Sequence, residues 1–304
     1  MSIARAWGRI GSVRRMSVVG GVAATALVVA SAPASAAVTG FRVVTTSSVA
    51  DSADFKTAPD AACPSGKRLI GTGYSTTTTA GNEIVVDEVI PLGSPDAAPT
   101  SARVGAVEAD ATTGQDWSVS ASAICSDPLP GLQRVVANSA FDSDASKVAY
   151  AECPAGKQLT GTGYSVNGSA GEIVIRSVRP EVGPSWAPIG VSVHAWESDT
   201  VLASWSVQAF AVCANPLPGL ERVVAQGLST GSAQVKSTVA VCPAGKILTG
   251  TGYETHTSHP FDGELTIDRV RPASTGTSVD VHAVEEDPII RNWRLDAIAI
   301  CADQ

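Results

Sequence analysis

From residue 37 onward, apolar and polar residues alternate one by one over most of the chain. Trp205, Val207, Ala209, Ala211 and Cys213 fall on one parity, with Ser206, Gln208, Phe210 and Val212 on the other. A period of two places each set on one face of a β-strand. The run recurs as WSVSASAIC ending at Cys125 and WRLDAIAIC ending at Cys301. Each copy answers to an earlier motif: CPSGKRLIGTGY from Cys63, CPAGKQLTGTGY from Cys153 and CPAGKILTGTGY from Cys242. Trp117, Trp205 and Trp293 are spaced 88 and 88, and Cys63, Cys153 and Cys242 are spaced 90 and 89. A unit of that length is large enough to own a small core.

Strands follow one another within each unit. The first is Phe41-Arg-Val-Val, Gln133-Arg-Val-Val or Glu221-Arg-Val-Val, and a polar loop then leads to Lys56, Lys147 or Lys236. Cys-Pro-x-Gly suits a type I turn, and Lys-x-Leu-x-Gly-Thr-Gly-Tyr follows as a strand. The third strand begins EIVVDEV, EIVIRSV or ELTIDRV. Its apolar parity runs 84, 86, then 89, which predicts a bulge. A fourth strand and the Trp–Cys strand complete the unit. The face carrying Leu159, Gly161 and Gly163 is expected to lie under the indole of the Trp–Cys strand, since strand glycines mark close approach. Between units, Ser126–Leu132 and Ala214–Leu220 each carry two prolines in three residues, which stiffens the link. No stretch after residue 36 shows capped helical periodicity. The expected fold is all-β: three tandem, disulfide-stapled, β-sandwich-like repeats of about 88 residues, at 37–126, 127–214 and 215–304. The alternative is one pseudo-threefold assembly, a β-prism or propeller.

Residues 1–36 read as a signal peptide. Arg5, Arg9, Arg14 and Arg15 precede a short apolar run from Val18 to Ala30, and Ala34-Ser35-Ala36 supplies small residues for cleavage. That run is short of the roughly 20 residues that span a bilayer, so no membrane association is expected after cleavage. Without the leader's four arginines, 17 of the 21 basic residues remain against 29 acidic ones, a net charge of −12. Such a chain has no electrostatic footprint for nucleic acid. Six cysteines, two per unit, fit an oxidising compartment and a secreted, extracellular protein. The repeat favours Cys63–Cys125, Cys153–Cys213 and Cys242–Cys301, with exchange between neighbouring units as the rival.

The combination CPAGKxLxGTGY, VxVxAxExD and WxVxAxAICAxPLPGL resembles a family of secreted actinomycete repeat proteins of no established activity. The likeness covers nearly all of the chain after residue 36 and implies export and repeat architecture only. The threefold count of Cys-Pro-Gly units is also similar to the β-prism of egg vitelline-membrane outer-layer proteins, whose repeat is much shorter.

Candidate chemistry is sparse. Gly-Lys among glycines fails as a phosphate loop, because GxxxxGK[ST] and a following helix are both absent. Glu108/Asp110, Glu197/Asp199 and Glu285/Asp287 recur at the end of the fourth strand. Carboxylates at i and i+2 share a face, which suits calcium, a glycosidase acid/base pair, or a plain acidic strand end paired with cations. All six lysines occupy repeat positions, and Lys67, Lys157 and Lys246 are candidates for facing a ligand. The structural reading pairs the lysines with the Glu-x-Asp carboxylates. His194 and His282 are equivalent, whereas His256, His259 and Asp262 lie in a loop of the third unit and make a weak metal signal. Trp186 and Trp196 occur in the second unit only and are candidates for stacking on sugars, with packing the favoured reading of both. No GxSxG, HExxH or recurring Ser/His/Asp set appears. The expectation is a non-enzymatic binding or structural protein without cofactor, its partner an extracellular glycan or cell-surface polymer. Binding is expected in the variable loops 75–82, 165–171 and 254–263, with avidity from repetition. The rivals are a glycan hydrolase using the Glu-x-Asp pairs and a protein-binding or inhibitor module.

Overall fold

The computed structural model describes residues 37–304 except 78–83, 95–96, 110–113, 169–170, 199, 230–232, 258–264 and 286–291. The signal-peptide assignment therefore lies outside the described residues, as do Asp110, Asp199, Asp287, His259 and Asp262. All regular structure among the described residues is β. The first unit holds β1 (Arg42–Ser47), β2 (Phe55–Thr57), β3 (Ala61–Ala62), β4 (Arg68–Thr77), β5 (Ile84–Leu92), β6 (Ser101–Glu108) and β7 (Ser118–Ser126). The second holds β8 (Gln133–Asn138), β9 (Ser146–Glu152), β10 (Gln158–Asn167), β11 (Ile173–Val182), β12 (Pro188–Glu197) and β13 (Ser206–Ala214). The third holds β14 (Glu221–Gln226), β15 (Val235–Val241), β16 (Lys246–Thr257), β17 (Leu265–Pro272), β18 (Ser278–Glu285) and β19 (Trp293–Asp303). Arg42, Gln133 and Glu221 lie opposite the Trp–Cys cysteines, so the first strand of unit one starts one residue later than its sequence suggests.

Three antiparallel sheets form, and none belongs to a single unit. Their orders are β1-β7-β4-β17-β18-β15, β2-β6-β5-β10-β13-β8 and β14-β19-β16-β11-β12-β9. The first and third take three strands from each of two units; the second, in which β3 also pairs with β6, takes four from the first unit and three from the second. Within a unit, the two half-sheets pack face to face as a small sandwich, β9 against β13 and β15 against β19. The disulfides tie those halves together: Cys63–Cys125, Cys153–Cys213 and Cys242–Cys301, each with Cα atoms 5.7 Å apart. The two sequence alternatives thus combine, with sandwich-like units fused through shared sheets into a pseudo-threefold whole.

Gly-Thr-Gly-Tyr builds the axis. Thr72 Oγ1 donates to Thr162 O at 2.7 Å, Thr162 Oγ1 to Thr251 O at 2.6 Å, and Thr251 Oγ1 to Thr72 O at 2.8 Å, closing a ring of side-chain bonds among β4, β10 and β16. A Cβ on Gly71, Gly161 or Gly250 would sit 2.1, 2.2 or 2.3 Å from a carbonyl oxygen of another unit. The motif glycines therefore admit neighbouring backbone rather than an indole, which corrects the expectation from the strand parity. Tyr74, Tyr164 and Tyr253 plug the same axis, fully buried, and desolvation raises all three phenols.

The indoles serve elsewhere. Trp117, Trp205 and Trp293 are buried inside their sandwiches, with the ammonium of Lys56, Lys147 or Lys236 within 4.8, 4.8 and 4.5 Å of the ring centroid. Cation–π attraction is stronger when desolvated. Lys56 and Lys147 bind Asp51 and Asp142, while Lys236 donates to the Trp293 carbonyl and lies within electrostatic reach of Glu285, one of the Glu-x-Asp carboxylates.

The proline-rich links run in equivalent places. Asn215 N donates to Pro130 O and Asp303 N to Pro218 O; Asp127 N likewise donates to Thr39 O. Val38 N donates to Asp303 O at 3.0 Å, so residues 38–41 fill the third such place and close the circle.

Candidate functional site

The structure places most of the repeated polar residues in structural roles. Glu108 and Glu285 are buried, 4% and 1% exposed, on the inward parity of β6 and β18. Glu197 accepts the Trp205 indole N–H at 2.9 Å and the Val201 N–H at 3.2 Å. Glu108 and Glu285 thus face the sandwich interior, and Glu197 fixes the Trp205 indole. Lys67, Lys157 and Lys246 sit at the links between units. Lys67 pairs with Asp127 at 2.9 Å, Lys157 donates to Gly131 O, and Lys246 donates to Gly219 O and pairs with Glu221 at 2.8 Å. Gly131 and Gly219 adopt φ of 67° and 61°, which turns their carbonyls toward the ammonium groups. His256 bonds Asp296 at 2.9 Å, and Arg294 bonds the same carboxylate. His282 bonds Asp268 at 2.6 Å.

One face differs. The β11–β12 hairpin of unit two turns through Gly183-Pro-Ser-Trp-Ala187, where Trp186 N donates to Gly183 O at 2.9 Å and Gly183 N to Ala187 O at 3.0 Å. Such three-residue loops end on a left-handed residue, usually glycine. Here that residue is Trp186, at φ 64° the only non-glycine with positive φ among the described residues. Its side chain is 77% exposed. A left-handed L-residue costs about 1–2 kcal/mol, and burial of the indole does not offset it.

A second aromatic stands on the neighbouring edge strand. Tyr150 of β9 lies opposite Ser192 of β12, 40% exposed on the outer face. A Cβ at Gly190 would come within 2.9 Å of the Tyr150 ring and hydroxyl, so the ring occupies the space that the glycine leaves open. Along the same face, His194 stacks on Trp196 with centroids 6.0 Å apart, and the Arg176 guanidinium lies 5.2 Å from the Trp196 ring. Trp196 is therefore packed within a ladder, whereas Trp186 and Tyr150 are the open platforms. Polar groups flank them. Arg179 bridges Glu181 at 2.8 Å, burial and then the Arg179 charge lower the His194 pKa, and burial with Glu152 and Glu181 raises that of Tyr150.

The sequence signals Trp186 and Trp196 by their absence from the other units. Tyr150 and Gly190 carry the same signal, since neither residue type recurs at those positions, but only strand register shows that they touch. Of the variable loops, 78–82, 169–170 and 258–263 fall outside the described residues. Among the described residues no group of three or more His, Cys, Asp or Glu side chains converges as for a metal, and no helix is long and apolar enough to cross a membrane. No family model matches the chain, and no curated protein matches it.

Proposed function

We propose that the chain is a secreted, non-enzymatic binding protein that holds an extracellular polysaccharide on the outer face of the β11–β12 hairpin and β9. The carrying observation is Trp186, exposed and held in a backbone conformation that glycine would adopt without strain. Strain that packing does not explain is evidence for a function of the side chain. Tyr150 over Gly190 gives a second exposed ring, and the Arg179–Glu181 pair offers donors and acceptors beside it. Apolar rings with a few placed polar groups are the usual composition of a ligand surface. Three intrachain disulfides agree with an oxidising, extracellular setting. The shared sheets also change the origin of affinity: the units jointly build one scaffold, and one unit supplies the face.

The test is retention on insoluble polysaccharides and on cell-wall preparations. Wild type is expected to be retained, and Trp186→Gly to lose at least about tenfold in affinity, a binding loss of about 1.4 kcal/mol, with no fall in melting temperature. Equal retention of the two proteins overturns the proposal.

A further inference from the structure

The same face specifies the charge of its ligand, and this inference rests on the reading above. We infer that the Trp186–Tyr150 surface takes an uncharged, hydroxyl-rich polysaccharide rather than an acidic one. The cation on β11 beside it is already committed, since Arg179 bridges Glu181 at 2.8 Å. Arg176 lies against the Trp196 ring at 5.2 Å, and its Nε is shielded from solvent, so it is not presented as an anion receptor. Of the other cations on this sheet's outer surface, Arg294 and His256 are both matched on Asp296, and Arg222 is held by the Pro180 carbonyl. Carboxylates are in excess near the platforms: Glu152 and Glu181 lie close enough to act on the Tyr150 phenol, and Glu181 and Glu254 on His194. His194 itself is held toward its neutral form by burial and by Arg179.

An acidic polymer meeting this face would have to approach Glu152 and Glu181, only the second of which is paired with a cation, on a chain of net charge −12 after leader removal. Like-charge juxtaposition of that kind works against binding. A neutral sugar makes no such demand. Its apolar ring face covers Trp186 or Tyr150, and its hydroxyls accept from the guanidinium and donate to the carboxylate of the Arg179–Glu181 pair. Charged-group hydrogen bonds of this type exceed neutral ones in strength.

The experiment compares full-length mature wild type with Trp186→Gly and Tyr150→Ala on two neutral polymers, cellulose and xylan, and two acidic ones, polygalacturonate and hyaluronan. Each is run at about 20 mM and about 500 mM salt, where screening lengths differ several-fold. The expected result is retention on a neutral polymer that changes less than about twofold with salt and falls at least about tenfold in Trp186→Gly. Trp186-dependent binding confined to the acidic polymers, and weakened by salt, overturns the charge assignment while leaving the polysaccharide surface intact. Absence of Trp186-dependent binding to all four polymers and to cell walls overturns the underlying reading itself. Tyr150→Ala separates the two platforms: unchanged retention removes Tyr150 from the inferred surface.

Discussion

The hairpins of the second and third units are built on the same plan and finished differently. In unit three, β17 and β18 have eight residues each, and the turn carries Gly276 at φ 73°, with its N–H donating to Ala273 O at 2.9 Å. In unit two, β11 and β12 have ten residues each, and the left-handed position is occupied by Trp186. The third unit's turn is also packed tightly, because a Cβ on Gly276 would lie 2.7 Å from Ile247 and Phe41. The second unit's hairpin has the longer strands, and its turn is strained and open. Where a repeat keeps its strands short and its turn glycine-based, the hairpin serves the fold. Where it lengthens the strands and places a large aromatic at the strained position, the fold is carrying something else.

That contrast is meaningful only if the scaffold beneath the two hairpins is common. The largest expected effect tests this. Gly161→Ala and Gly250→Ala force a Cβ onto the carbonyls of Ile70 and Thr160, and each is expected to cost about 3 kcal/mol or more. Chemical denaturation should show one cooperative transition, lowered alike in both variants. A transition that splits, leaving one unit folded, would break the picture of fused units.

The bulge residues give the next test. Arg176 in unit two lies against Trp196, and Asp268 in unit three bonds His282, but Asp87 in unit one is half-buried beside Glu88 with its carboxyl pushed up to about 6. Desolvation is the main cause, with the Glu88 charge second. The folded state thus holds this proton more tightly than the unfolded chain does. Its ionisation destabilises the fold above pH about 6, and the penalty fades as pH falls toward the ordinary carboxylate value of 3.8. Asp87→Asn is expected to gain up to about 3 kcal/mol at pH 7 relative to wild type, and little at pH about 4. A gain independent of pH would exclude this account.

Smaller effects fall on the turns themselves. Gly276→Ala is expected to lose about 2 kcal/mol, from the left-handed backbone and the contacts at 2.7 Å. Trp186→Gly is expected to gain about 1 kcal/mol, since glycine removes the strain and little packing is lost. Opposite signs in thermal denaturation sharpen the comparison between the hairpins. If Trp186→Gly instead destabilises by a comparable amount, the indole is packed for stability and the site loses its main support.

Much of the architecture was legible from residue order. Alternation marked the strands, the parity change at Val86/Val89 marked the bulge seen between Val86 and Glu88, and pairwise recurrence of cysteines gave the disulfide partners. These are local or repeat-level properties, because side-chain period and turn chemistry are written within a few residues. Strand partnership across units is not of that kind. Nothing in GTGY states that its threonines bond one another around an axis across 89 to 179 positions, or that its glycines receive carbonyls of another unit. The lysines show the same limit. Their spacing showed that they matter to the repeat, but only the packed sandwich decided that three lie against tryptophans and three hold the links. Trp186 stood out in the sequence as a residue that does not repeat. That it is exposed and strained, and that Tyr150 stands exposed over Gly190 on the edge strand of the same sheet, was decided by hairpin geometry and by cross-strand register, both of which exist only once the chain has folded.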